Sequence, residues 1–169
     1  MKFLEIDNLD IEYQTRKETI YASKNVSFNL QRGEIIGIVG ESGSGKSTVA
    51  NAIINLIDKP GIITNGSIKL DGSELRNNAD VIKSIRGKKI GFVFQDPQTS
   101  LNPLFKIKDQ LIETIQTHSN LNYKEAETKS INLLREVGIE NPEKRIDDYP
   151  HQFSGGMRQR VVIALAISC

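Results

Sequence analysis

Phe3, Leu4, Ile6, Leu9, Ile11 and Tyr13 alternate with polar neighbours at close to period two, the pattern of a strand with one buried face. A charged turn at 15–18 separates it from a second strand at 20–30, with Ala22, Val26, Phe28 and Leu30 as its apolar positions. Arg32, Gly33 and Glu34 form a tight turn into Ile-Ile-Gly-Ile-Val at 35–39, a continuous apolar run that reads as a strand buried on both faces. After a glycine-rich stretch, Val49, Ile53, Leu56 and Ile57 fall on one helical face. Asp58, Lys59, Pro60 and Gly61 break the chain, and 66–72 alternates again before an Asp71-Gly72 turn, so it should return to the first sheet. Residues 73–86 are polar with a weak helical pattern. Ile90 to Phe94 is a second continuous apolar run, expected as another buried strand that Pro97 stops, leaving Gln95 at its C-terminal end. From Lys106 onward the pattern is helical: Ile107, Leu111, Ile112 and Ile115 make one stripe. Ala126, Ser130, Leu133 or Leu134 and Val137 make another, with Gly138 as its cap.

The stretch between the first apolar run and its helix carries the chemistry. Gly40, four residues, then Gly45-Lys46-Ser47 has the spacing of the phosphate-cradling Walker A loop, in the strand–loop–helix context the motif needs. Gly40, Gly43 and Gly45 let backbone amides turn inward, and the amides from about Ser42 to Ser47 form a concavity for an anion at a helix start. Lys46 can reach the β- and γ-phosphates, Ser47 offers a hydroxyl to Mg²⁺, and Thr48 can assist at the α-phosphate. The nucleotide-binding residues are therefore Gly40, Glu41, Ser42, Gly43, Ser44, Gly45, Lys46, Ser47 and Thr48. Tyr13 is the aromatic placed against an adenine ring, with Tyr21 as the competitor and ordinary strand packing as the plain alternative.

A second anchor lies at Tyr149-Pro150-His151-Gln152-Phe153-Ser154-Gly155-Gly156-Met157. Ser154 is a good helix N-cap, and the two glycines leave amides uncovered at a helix start before an apolar stretch that reads as a buried helix.

Composition narrows the class. The chain has 169 residues, enough for one domain with a sizeable core, and its 22 Lys and Arg against 21 Asp and Glu give no pull toward nucleic acid. Its single cysteine, Cys169, rules out an internal disulfide framework and suits a reducing compartment. No apolar run approaches a membrane span, so a soluble chain is expected whose membrane contact comes through a partner.

The phosphate loop, Phe94-Gln95-Asp96-Pro97 and Phe153-Ser154-Gly155-Gly156-Met157, in that order and spacing, together resemble the ATP-binding subunit of an ABC transporter. The longer stretches Phe94-Gln95-Asp96-Pro97-Gln98-Thr99-Ser100-Leu101-Asn102-Pro103 and Tyr149-Pro150-His151-Gln152-Phe153 resemble its oligopeptide, dipeptide and nickel importer branch. The resemblance runs from about Leu4 to Cys169. It implies an α/β P-loop NTPase fold with an added antiparallel β subdomain and a helical subdomain. Residues 1–97 and 161–169 would form the β part and P-loop core, and about 98–160 the helical part. It implies Gln95 as the Q-loop residue touching Mg²⁺ or the attacking water, with Lys46 and Gln95 catalytic and Ser47 and Gln95 at the metal. Ser154, Gly155, Gly156 and Met157 would be the signature motif that completes the ATP site of the opposite subunit. Methionine replaces the glutamine most common there, a usual choice in the peptide branch. The family's Walker B aspartate, catalytic glutamate and switch histidine find no counterpart. Asp96 belongs to the Q-loop, Asp147 and Asp148 to a loop of the helical part, and His118 and His151 are poorly placed. The chain is thus expected to be the N-terminal part of a longer subunit.

The function this implies is energy coupling in an importer of peptides or similar small solutes, with ATP and Mg²⁺ as cofactors. Its partners would be transmembrane permeases, contacted through 97–120, and a second ATP-binding subunit, with no nucleic acid. The subunit would sit in the cytoplasm, on the inner face of the cell membrane. The alternatives are a non-transport ABC ATPase, favoured by an insertion or basic face that the sequence lacks, and a module that binds nucleotide without hydrolysing it. A P-loop kinase would leave Gln95 and Ser154-Gly155-Gly156 unexplained.

Overall fold

The computed structural model describes residues 2–169, apart from the side chains of residues 97 and 98, and divides into two compact units between Ser84 and Ile85. In the first unit, β1 (Lys2–Gln14) and β2 (Thr19–Gln31) form an antiparallel pair. Thr15 closes the connecting turn: its amide and its hydroxyl both donate to the Glu18 carbonyl. Helix α1 (Lys46–Ile53) follows the glycine-rich loop, and β3 (Gly61–Leu70) then adds to the other edge of β1. A two-residue turn leads to the short β4 (Ser73–Glu74), giving the order β2-β1-β3-β4. Asp71 (φ 52°) and Gly72 (φ 79°) supply the two positive φ angles that a hairpin turn of this twist demands. Ile6, Leu9, Ile11, Ile68 and Leu70 are buried on the sheet, and α1 buries Val49 and Ala52. Helix α2 (Ala79–Ile85) runs up to the boundary, its last residue counted with the second unit.

The second unit is helical: α3 (Pro97–Ser100), α4 (Ile107–His118), α5 (Tyr123–Glu136), α6 (Pro142–Arg145), a single 3₁₀ turn (Pro150–Gln152) and α7 (Gly155–Ile167). Its core joins Ile107, Leu111 and Ile115 of α4 to Leu134 of α5, Ile146, Phe153 and Val161 of α7. The turn at 146–148 serves as the cap of α4: the amides of Ile107 and Lys108 donate to the carbonyls of Asp148 and Ile146 at 3.0 and 2.8 Å. The Lys108 ammonium reinforces this joint at 2.9 Å from Asp147 and 3.4 Å from Glu127. Asn122 and Glu125 start α5 with a reciprocal capping box. Gly138 (φ 77°) ends it, as expected from the sequence.

Two expected strands are absent. Residues 35–39 are irregular and solvent-facing, with Ile35 96% and Val39 92% exposed. Residues 90–94 form only an isolated bridge between Arg86 and Ile90, and Val93 and Phe94 are exposed. An apolar run folds as a strand only when a neighbouring strand takes its amides and carbonyls, and among the described residues no strand pairs with either run beyond the bridge between Arg86 and Ile90. The helix after the loop is also shorter than its apolar spacing suggests. Asn55 takes φ 52°, its amide bonds to Ala52 and that of Leu56 to Asn51, a Schellman ending that places Leu56 and Ile57 outside α1. Residues 85–97 and 161–169 fall within the second of the two units.

Candidate functional site

The glycine-rich loop is closed on itself by Lys46. Its ammonium donates to the carbonyls of Gly40 at 2.8 Å and Glu41 at 2.6 Å and to the hydroxyl of Ser44 at 3.2 Å, using all three of its protons. The Ser44 amide bonds back to the Glu41 carbonyl, tightening the first half of the loop. Gly45, the N-cap of α1, is left-handed at φ 87° and makes no side-chain cap bond. The first amide of α1 with a backbone acceptor is Val49, which donates to Gly45. The amides of Lys46, Ser47 and Thr48 thus stand at the positive end of the helix with no backbone partner among the described residues. A lysine ammonium beside a helix start with unpaired amides is an arrangement whose chemistry suits an anion with several oxygens.

Glycine is required at 45 for a reason beyond its dihedral angle. The register of β1 with β2 passes from Ile11 opposite Ser23 to Glu12 opposite Tyr21, so Ala22 is an extra residue, a bulge. The bulge turns the Ala22 carbonyl onto the loop, where a β-carbon on Gly45 would lie 2.0 Å from that oxygen. The cavity beside the loop holds about 380 Å³ and is lined by Gly40, Ser44, Gly45 and Lys46 and by Ser23, Val26 and Phe28 of β2. The sequence reading took Val26 and Phe28 only as strand apolar positions and passed over Ser23. A single serine on a strand carries no local signal; Ser23 stands next to the bulged Ala22 and lines the loop cavity.

Of the remaining predicted residues, Glu41, Ser42 and Gly43 lie exposed in the loop and Ser47 exposed in the first turn of α1. Tyr13 is half-buried near the end of β1, opposite Ile20 and Gly61, with its ring edge against Gly61. Tyr21 is 59% exposed, with the Lys24 ammonium 5.4 Å from its ring centre. Neither lines the loop cavity. The donor chemistry of Ser47 fits a magnesium ion that also binds phosphate oxygens. Among the described residues no cluster of three or more His, Cys, Asp or Glu could hold a metal by itself.

In the second unit, Gln95 is exposed in a bend between the edge-on pair Phe92 and Phe94 and helix α3. Asp96 carries the start of α3, its carbonyl accepting from the hydroxyls of Thr99 and Ser100. Ser154 caps α7 as expected, accepting from the Met157 amide at 3.3 Å. Gly155 and Gly156 are exposed, and a β-carbon on either would meet nothing within 4 Å. Met157 packs back onto the helical core, so the start of α7 stays bare while the helix itself is anchored. His118 is used structurally, its imidazole covering Gly87, and His151 stacks on Tyr149. No helix among the described residues is long and apolar enough to cross a membrane.

The family model described as "ABC transporter" matches residues 23–169. The oligopeptide transport ATP-binding protein OppD of Bacillus subtilis (strain 168) is 44% identical over 169 residues, covering 99% of this chain and 47% of the relative. The dipeptide transport ATP-binding protein DppD of Escherichia coli (strain K12) is 40% identical over 170 residues, covering 100% and 52%. The chain spans about half the length of the curated relatives it matches. Among solved structures, the post-hydrolysis dimer of the ATP-binding cassette MJ0796 bound to ADP and Pi superposes with a TM-score of 0.86 at 32% identity, covering 98% of this chain and 69% of that one. With three motifs in order, a matching family model and cassette neighbours of the same fold, this chain belongs to the ABC transporter family.

Proposed function

We propose that the chain is the ATP-binding part of an energy-coupling subunit in an importer of peptides or similar small solutes. One observation carries this reading: the Lys46 ammonium, held on the Gly40 and Glu41 carbonyls over the uncovered start of α1. In that reading the loop amides and Lys46 bind the β- and γ-phosphates, and Ser47 contributes a hydroxyl to Mg²⁺, which screens phosphate charge. Tyr13 supports the base. Gln95, exposed after Phe94, reports nucleotide state to a permease in this reading. The bare amides at Gly155 and Gly156 face the nucleotide of a second ATP-binding subunit. That sharing requires a head-to-tail dimer, and dimeric cassettes among the similar structures support it. Residues 1–97 with 161–169 then act as the β part and core, and 98–160 as the helical part, on the cytoplasmic face of the membrane. Transport activity is proposed for a protein of the relatives' length.

A second reading, nucleotide binding without hydrolysis by the chain as it stands, has its own support. Among the described residues no carboxylate or imidazole lines the loop cavity, so nothing there can take a proton from water. Calorimetric titration with ATP and a phosphate-release assay test both readings, on this chain and on a version extended to the relatives' length. The expected result is ATP binding by both and hydrolysis by the extended form alone. Lys46→Ala should weaken binding by about a hundredfold, the loss of a charge-assisted contact to phosphate. Unchanged ATP affinity in Lys46→Ala refutes the assignment.

A further inference from the structure

Ser23 is 8% exposed, and its hydroxyl is buried with no hydrogen-bond partner among the described residues. Buried polar groups of native chains are almost always paired, so an orphaned one calls for an explanation. Its position supplies one. Ser23 lies opposite Ile11 in the register of β1 with β2, and cross-strand partners leave a sheet on the same face. On that face it borders the phosphate loop: its β-carbon stands 3.9 Å from where one on Gly45 would be, and it lines the cavity with Gly40, Ser44, Gly45 and Lys46. Tyr13 is two residues beyond Ile11 on β1, which pairs there residue by residue with β3 and keeps its alternation, so Tyr13 also leaves the sheet on this face.

One sheet face therefore presents, in sequence, the phosphate loop, a hydroxyl without a partner, and an aromatic ring. A nucleoside triphosphate with its phosphates in the loop and its base toward Tyr13 brings its sugar past Ser23. We propose that Ser23 is a specificity residue of the nucleotide site whose hydroxyl pairs with a ribose hydroxyl. The two groups match, since each both donates and accepts. The Ser23 hydroxyl turns on a single side-chain bond, and in the proposed pairing that bond directs the oxygen to the cavity the residue lines. The inference rests on the loop being an ATP site and adds the part of the ligand that the loop does not read.

The test is calorimetric titration of the parent chain, Ser23→Ala, Ser23→Thr and Lys46→Ala with ATP, 2′,3′-dideoxy-ATP and inorganic tripolyphosphate. Ser23→Ala is expected to weaken ATP about three- to tenfold, the size of one hydrogen bond. It should leave tripolyphosphate and dideoxy-ATP unchanged, and Ser23→Thr should restore ATP. Equal losses for all three ligands would mean a distorted loop and overturn the proposal. So would unchanged ATP affinity with a higher unfolding midpoint, which would make the hydroxyl only an unpaired buried group. ATP binding that survives Lys46→Ala brings down the phosphate-loop reading itself, an outcome distinct from a failure confined to Ser23.

Discussion

Replacing Gly45 by alanine tests how far the bulge in β2 controls the phosphate loop. Two separate penalties apply. A side chain at φ 87° costs about 1–2 kcal/mol for its left-handed backbone alone. The added β-carbon would also stand 2.0 Å from the Ala22 carbonyl oxygen, when such contacts need about 3 Å or more. Both atoms belong to backbone or are fixed to it, so no rotamer change relieves the clash, and the loop or the bulge must shift by about 1 Å. Overpacking of this kind costs a further 1–3 kcal/mol or so. Gly43 provides the control. It is also left-handed, at φ 82°, but a β-carbon there meets nothing within 4 Å, so Gly43→Ala incurs only the first penalty. Urea unfolding should show Gly45→Ala less stable than Gly43→Ala by about 1–3 kcal/mol. ATP titration should show a loss of about a hundredfold for Gly45→Ala, since amides displaced by about 1 Å no longer converge on one phosphate. Equal stabilities for the two variants, or ATP binding by Gly45→Ala close to that of the parent, would refute the claim that the Ala22 carbonyl seats the loop.

The helical unit offers two further checks. The Lys108 ammonium, helped by Lys106, holds the Asp147 carboxyl below its ordinary 3.8, and the Asp147 hydrogen bond raises Lys108 above 10.5. A lowered carboxylate pKa adds stability above pH 3.8 that is lost as pH falls through the folded value, while the raised lysine loses its share above pH 10.5. Asp147→Asn should therefore cost about 0.2–1 kcal/mol at pH 7, the range for partly exposed pairs, and match the parent in acid well below pH 3.8; a gap that persists there refutes it. Asn122→Ala removes one half of the α5 capping box and should cost about 0.5–2 kcal/mol in urea unfolding, with ATP affinity unchanged.

The features legible in the sequence were those fixed by short-range rules. The β1 alternation, the Asp71-Gly72 turn, the α4 and α5 stripes and the Gly138 ending each depend on residues a few positions apart, and each appears in the structure. The phosphate loop was legible for the same reason: its lysine bonds to carbonyls five and six residues before it. What failed were judgements about distant partners. Residues 35–39 and 90–94 have the composition of buried strands, but burial is a property of what lies alongside, and composition cannot supply a neighbour. Ser23 was passed over for a related reason, because its importance comes from a one-residue slip in register with a strand twelve positions upstream. The ending of α1 was available locally, in Asn55, but the apolar spacing of Leu56 and Ile57 masked it.

The hydrogen bonds of Lys46 bear on kinetics as well as geometry. A lysine side chain that is free in solution must be immobilised when a ligand arrives, which slows capture and costs affinity. Here three hydrogen bonds fix the Lys46 ammonium within the loop. The two carbonyl contacts, at 2.8 and 2.6 Å, are shorter than the 3.2 Å contact to the Ser44 hydroxyl, which is the bond an incoming phosphate oxygen most readily replaces. In the proposed site, capture exchanges the Ser44 hydroxyl for a charged acceptor while the two carbonyl contacts hold the ammonium in place. A side chain already fixed in this way has little rotamer freedom left to lose on binding.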